Sequence, residues 1–151
     1  MKIPGEKTVS ALFGQLWNRF FGGLKVHIRA VSQAGDLTHP ALCFDISVEN
    51  NMGEGSHLRG FKVRLVEPVA IETEDVVLRM PNKPVVIEMP INIGPWQSSP
   101  RINPLIVKFP VVLDKATGRY LGELIALGRG GRRRKATSFE CDYDYRSSAG
   151  R

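Results

Sequence analysis

The chain is poor in the residues that most often carry chemistry. It has two cysteines, Cys43 and Cys141, far apart in sequence, and three histidines, His27, His39 and His57, each in a different segment. No Cys-x-x-Cys or His-x-x-x-His spacing occurs, so the common zinc frameworks are missing and neither metal nor cofactor is expected. A disulfide is not expected, because Cys43 reads onto the wetter face of its strand and Cys141 onto the drier face of another. No run approaches the ~20 apolar residues of a membrane span. The N-terminus lacks the apolar stretch and small-residue cleavage site of a secretory leader, and no Asn-x-Ser/Thr sequon is present. The cytoplasm is therefore the expected compartment, and a membrane partner is not expected.

A nucleophilic constellation is missing too. Ser56 and His57 are neighbours in the loop Gly53-Glu54-Gly55-Ser56-His57, but a nucleophile needs its base across space and a third group to orient it. The stretch also fails the Gly-x-Ser-x-Gly elbow, since Leu58 stands where the second glycine belongs. The acids Glu140, Asp142 and Asp144 share one strand face, and Glu72, Glu74 and Asp75 form another acidic group. Both patterns are typical of a solvated surface. No acid, base and nucleophile converge, so catalysis is the reading the sequence favours least.

What the chain does have is alternation. Leu42, Phe44, Ile46 and Val48 alternate with Cys43, Asp45, Ser47 and Glu49, and a period of two puts the first set on one face of a strand. The same period runs through Leu24, Val26, Ile28 and Ala30, through Phe61, Val63 and Leu65, through Leu105, Val107 and Phe109, through residues 120–127, and through Phe139, Cys141, Tyr143 and Tyr145. Shorter candidates lie at 69–73, 76–80 and 85–93. Seven prolines between Met80 and Val111 point to edge strands, bulges and crossing loops, because proline donates no ladder hydrogen bond. Residues 94–104 read as a long connection between two sheets. Residues 114–119 read as a tight hairpin, with Gly118 supplying a positive φ. That hairpin looks like the one before the aromatic strand of RNA recognition motifs, but Gly122-Glu123-Leu124-Ile125 follows without stacking aromatics.

Ahead of the strands lies one helical pattern. Val9, Leu12, Phe13, Leu16, Trp17, Phe20 and Phe21 recur at i, i+3, i+4 and i+7. Thr8 can cap its start, and Gly22 and Gly23 can end it. The expected organisation is a lead-in over 1–7, a single domain over 8–146 with its helix at 8–22, and a tail over 147–151. The expected fold is all-β: an antiparallel β-sandwich, immunoglobulin-like or jelly-roll-like, with about eight strands and one N-terminal amphipathic α-helix. A partly closed barrel is the alternative.

Charge singles out one further segment. Residues 128–151 hold seven basic and three acidic side chains, whereas the rest of the chain is nearly balanced. Arg129, Arg132, Arg133, Arg134 and Lys135 are set among glycines and are expected to lie in a loop between two strands. Forked guanidinium donors suit phosphates or an acidic partner, although no aromatic within the cluster could stack on a base. Trp17, Phe20 and Phe21 are the candidate protein contacts, since large aromatics are good interface anchors. The function expected is a non-catalytic interaction or assembly module, in a homo-oligomer or a larger complex. The alternatives are a nucleic-acid-associated protein gripping the phosphate backbone through 129–135, and an enzyme whose site the sequence does not display.

Overall fold

The computed structural model describes residues 23–78, 87–128 and 136–146. Among these residues there are ten strands and every pairing is antiparallel. They are β1 (Leu24–Gly35), β2 (Pro40–Asn50), β3 (Ser56–Leu58), β4 (Gly60–Glu67), β5 (Ile71–Thr73), β6 (Val76–Leu78), β7 (Ile91–Ile93), β8 (Ile102–Lys108), β9 (Thr117–Leu127) and β10 (Ala136–Asp144). One four-stranded sheet has the order β1-β2-β8-β6, and the other has β10-β9-β4-β5. A two-stranded ribbon pairs β3 with β7. The fold is all-β, as the period of two requires. The helix expected at 8–22 and the tail at 147–151 lie outside the described residues, as do residues 129–135.

Both four-stranded sheets contribute to one contiguous core. Phe44 and Val107 from the first sheet and Phe61, Val63 and Tyr120 from the second are buried together. The Phe44 and Phe139 rings meet edge-to-face across the two sheets, 5.0 Å between centroids. In this arrangement the positive ring edge meets the negative ring face.

One phase error in the sequence reading, at Ala30, has a local cause. Ala30 was expected to face inward with Leu24, Val26 and Ile28. It is exposed, because the register against β2 shifts between Ile28 and Ala30. One extra residue at this bulge turns the following side chains over, and Val31 packs on the core instead. In β8, Phe44 pairs with Leu105 but Ile46 pairs with Ile102. The extra residue falls at Asn103 and Pro104, a bulge that absorbs the missing N–H of a proline inside a strand.

The stretch at 114–119 is not a hairpin. β8 belongs to the first sheet and β9 to the second, so the chain between them crosses from one sheet to the other. Nor does Gly118 have a positive φ; among the described glycines only Gly35 does, at 71°. Gly118 is small for another reason. A Cβ there would lie 2.6 Å from the Tyr143 hydroxyl oxygen and 2.8 Å from its ring carbon. At Gly35 the positive φ serves the turn into β2, where the Asp36 carboxylate accepts from the Thr38 and His39 amides at 2.9 and 2.8 Å.

The sheet edges are closed in different ways. On one side β1 and β10 lie beside each other without a backbone ladder. The Gln33 carboxamide substitutes for one, donating to the Asp144 carbonyl at 2.8 Å and accepting from the Asp144 amide at 2.5 Å. Thr137 donates its hydroxyl to the Val26 carbonyl at 2.8 Å. On the other side the edge strands β5 and β6 are three residues long, which limits the unpaired backbone offered to another chain. The turn between them crosses from one sheet to the other, and its Asp75 carbonyl accepts from the Lys108 amide at 3.0 Å.

Candidate functional site

The ends of the fold carry its most specific chemistry. At the end where β1 runs into β2, three tyrosines line up. The Tyr120 and Tyr143 ring centroids are 4.8 Å apart, those of Tyr143 and Tyr145 5.3 Å, and Phe109 stacks on Tyr120 at 5.7 Å. Tyr145 donates its one hydroxyl proton to the Ala34 carbonyl at 2.8 Å, so it must accept from Tyr120 at 2.9 Å. Burial raises both phenols, Tyr120 well above its ordinary range, and for Tyr120 the bond it donates to Tyr145 adds to the effect. These are structural hydroxyls held protonated.

A surface groove of about 430 Å³ opens beside this ladder. Pro68, Val69, Val111, Leu113 and Tyr143 line it, and Val112 stands at its rim. Val112 is 66% exposed, Val69 38%, and the neighbouring Val66 58%. These are three of the four large apolar side chains exposed among the described residues. The charged rim has both signs: Glu67, Asp114, Lys115 and Arg119. Arg119 is already bound by Glu140 at 2.9 Å and by Glu67 at 3.3 Å. A site of this kind takes an apolar group framed by polar contacts, and it has no excess of positive charge with which to hold a phosphate chain.

At the opposite end the organiser is Asn50, which is fully buried. Its side-chain amide donates to the Glu54, Ile93 and Gly94 carbonyls at 2.8, 3.1 and 3.1 Å, while its Oδ1 accepts from the Met52 amide at 3.1 Å. One side chain thus ties the loop after β2 to the chain around β7. Trp96 lies on the same loop pair. It is held at φ 58° and is 64% exposed, and its amide donates to the Met52 carbonyl at 3.2 Å.

The titratable groups form surface pairs. Asp45 accepts two bonds from Arg101, at 2.8 and 2.6 Å. Glu72 is held by Arg64 and Lys62 at 2.8 and 3.2 Å. The Arg146 guanidinium pulls the Asp144 carboxyl down to about 2. His27 lies 3.1 Å from Glu49. Among the described residues no three His, Cys, Asp or Glu side chains are grouped as a metal site would need. Ser56 and His57 lie in β3 rather than in an irregular loop, and successive strand side chains point to opposite faces. Cys43 and Cys141 are free thiols, both half-buried, and burial raises both.

The residues singled out by sequence, Trp17, Phe20 and Phe21 and the run Arg129, Arg132, Arg133, Arg134 and Lys135, all lie outside the described residues. What the fold does show is where their described neighbours are. Gly128 and Ala136 flank the arginine run at the Leu24 end, opposite the tyrosine groove. The groove valines were missed by sequence reading. Their one visible signal was the adjacent pair Val111 and Val112, which cannot both face inward on an extended chain.

No family model and no curated protein sequence matches this chain. Two solved structures are similar to it at a TM-score of 0.44 each. One is a Bacillus subtilis protein named as a candidate lipoprotein, 15% identical over 81% of this chain and 36% of its own. The other is a structural-genomics target, 11% identical over 81% of this chain and 88% of its own. This chain thus spans about a third of the first and most of the second. No helix of the described residues is long and apolar enough to cross a membrane.

Proposed function

We propose that this chain is a non-catalytic interaction module, a helix-capped β-sandwich that binds a protein partner through the groove beside the tyrosine ladder. The observation that carries the reading is the convergence of exposed Val69 and Val112 on one concave surface floored by Leu113 and Tyr143. Valines scattered singly over a surface need no explanation, whereas grouped ones around a groove do. The occupant that fits is a polypeptide offering an aliphatic or aromatic anchor, with polar groups meeting the mixed-sign rim. The shared core supports the sandwich over a barrel, and the immunoglobulin-like or jelly-roll-like comparison is part of the same proposal. A cytoplasmic home fits two free thiols.

The mass of the native particle in its own lysate tests the proposal. A mass above that of the monomer, returned to the monomer value by Val112→Asp, is expected. A wild-type particle that is already monomeric, or an assembly indifferent to Val112→Asp, contradicts it. Salt-sensitive retention on a phosphate polymer, lost when Arg132, Arg133 and Arg134 become Ser, would instead favour the nucleic-acid reading.

A further inference from the structure

The fourth exposed large apolar side chain, Trp96, lies at the opposite end from the valine groove and takes no part in it. It sits in the turn Gly94-Pro95-Trp96-Gln97, closed by the Gln97 amide donating to the Gly94 carbonyl at 3.1 Å. Proline in second place and a positive φ in third are the marks of a type II turn, whose third place normally belongs to glycine or asparagine. Trp96 occupies it at φ 58°. A bulky side chain meets steric opposition in that region, and at 64% exposure the indole buries little to offset it. An outlier of this sort points to a use for the ring itself. The turn is firmly held. The Trp96 amide donates to the Met52 carbonyl at 3.2 Å, the Asn50 amide to the Gln97 carbonyl at 2.8 Å, and the Asn50 carboxamide to the Gly94 carbonyl at 3.1 Å.

We propose that Trp96 is a stacking platform for a neutral glucose-type unit of an oligosaccharide. Its indole lies by Gly53, where a Cβ would be 3.8 Å from Nε1, and no larger side chain screens the ring on that side. The indole N–H has no partner among the described residues, and neither have the carboxamides of Gln97, Asn92 and Asn51 on the same loop pair. The Gln97 carboxamide folds back over Gly94, whose Cβ position is 2.5 Å from its Oε1, so it leaves the turn beside the ring. Residues 91–100 carry no charge. A glucose-type pyranose has a flat face of C–H groups and a rim of hydroxyls. The face matches one indole, and the hydroxyls match carboxamides, which both donate and accept. A protein partner anchored on a tryptophan would surround it with further apolar contact. At this end no other large apolar side chain is exposed among the described residues. A quaternary ammonium calls for an aromatic cage and a phosphate for cations, and this turn offers neither.

In the full chain carrying Trp17→Phe, Trp96 is the only tryptophan, and its emission can be read directly. On titration with cellotetraose to millimolar concentration, the emission should shift to the blue along a saturating curve and quenching by acrylamide should fall. Gln97→Ala in the same background should weaken the binding several-fold. Trp96→Gly in the otherwise unchanged chain should abolish saturation transfer to cellotetraose in NMR, while the unfolding midpoint stays where it is or rises. Emission indifferent to cellotetraose overturns the proposal, and so does saturation transfer retained in Trp96→Gly. A clear loss of stability in Trp96→Gly also overturns it, because the indole is then a packing element. So does protection that appears without sugar as protein concentration rises, because a second copy then covers the ring.

Discussion

The two ends of this fold are closed by different chemistry. One is packed with rings, where Phe109, Tyr120, Tyr143 and Tyr145 stack and a relay of hydroxyls ends on the Ala34 carbonyl. The other is tied by hydrogen bonds between two loops, where the buried Asn50 carboxamide joins backbone bonds such as Trp96 amide to Met52 carbonyl. Rings lose stability gradually, since a stack can lose one hydroxyl and keep its contacts. A side-chain hub loses several bonds at once, because one substitution takes its donors from the Glu54 and Ile93 carbonyls together. The ring end is also the one that exposes a valine-lined groove, so a rigid floor lies beneath the candidate contact surface.

The comparison breaks most sharply at Asn50. Asn50→Asp keeps the shape but turns a donor toward three carbonyls into an acceptor. It should cost at least about 3 kcal/mol in chemical denaturation, given ~1–3 kcal/mol for each buried polar group left unpaired. A cost below 1 kcal/mol would show that the hub does not hold that end. Tyr145→Phe is next. It leaves the Ala34 carbonyl without its donor and the Tyr120 hydroxyl without its acceptor, and about 2 kcal/mol is expected by the same measurement. Tyr120→Phe removes only a donor to Tyr145, so about 1 kcal/mol is expected. Equal losses for the two would contradict the direction of the relay.

Alkaline pH sharpens the same contrast. The Tyr120 and Tyr145 phenols are raised above their unfolded value of 10. Their contribution is therefore complete below pH 10 and is lost as pH climbs toward their folded values, because the unfolded chain releases those protons first. Stability measured between pH 9 and 11 should fall, and Tyr120→Phe should flatten the fall. The smallest effect belongs to the groove rim. Val112→Ser should move the unfolding midpoint by no more than ~0.5 kcal/mol, as expected for an exposed position, while weakening the assembly.

The architecture was largely legible because a half-buried strand writes its geometry into every second residue. Phe44, Val63 and Val107 are buried as their alternation demands. What the period could not carry was a change of phase. The bulge after Ile28 shifts the pattern by one residue, and Ala30 alone does not announce it. Turn composition was equally blind to destination. Residues 114–119 have the composition of a hairpin, yet the chain there crosses between sheets, and the small residue required at Gly118 reflects a ring brought in from Tyr143. β3 was hidden because it follows Gly53 and Gly55 and reads as loop, whereas its partner β7 falls inside the candidate at 85–93. The candidate surface was the least legible part. Val69 and Val112 come from separate segments, and only the folded chain puts them together.

Hydrogen exchange read peptide by peptide, on the purified chain and on the same chain in its native particle, tests the central claim most directly. The groove segments 66–69 and 111–119 should slow in the particle while β1 stays as it was. Identical exchange at those segments in both samples, or protection confined to another surface, would contradict the account.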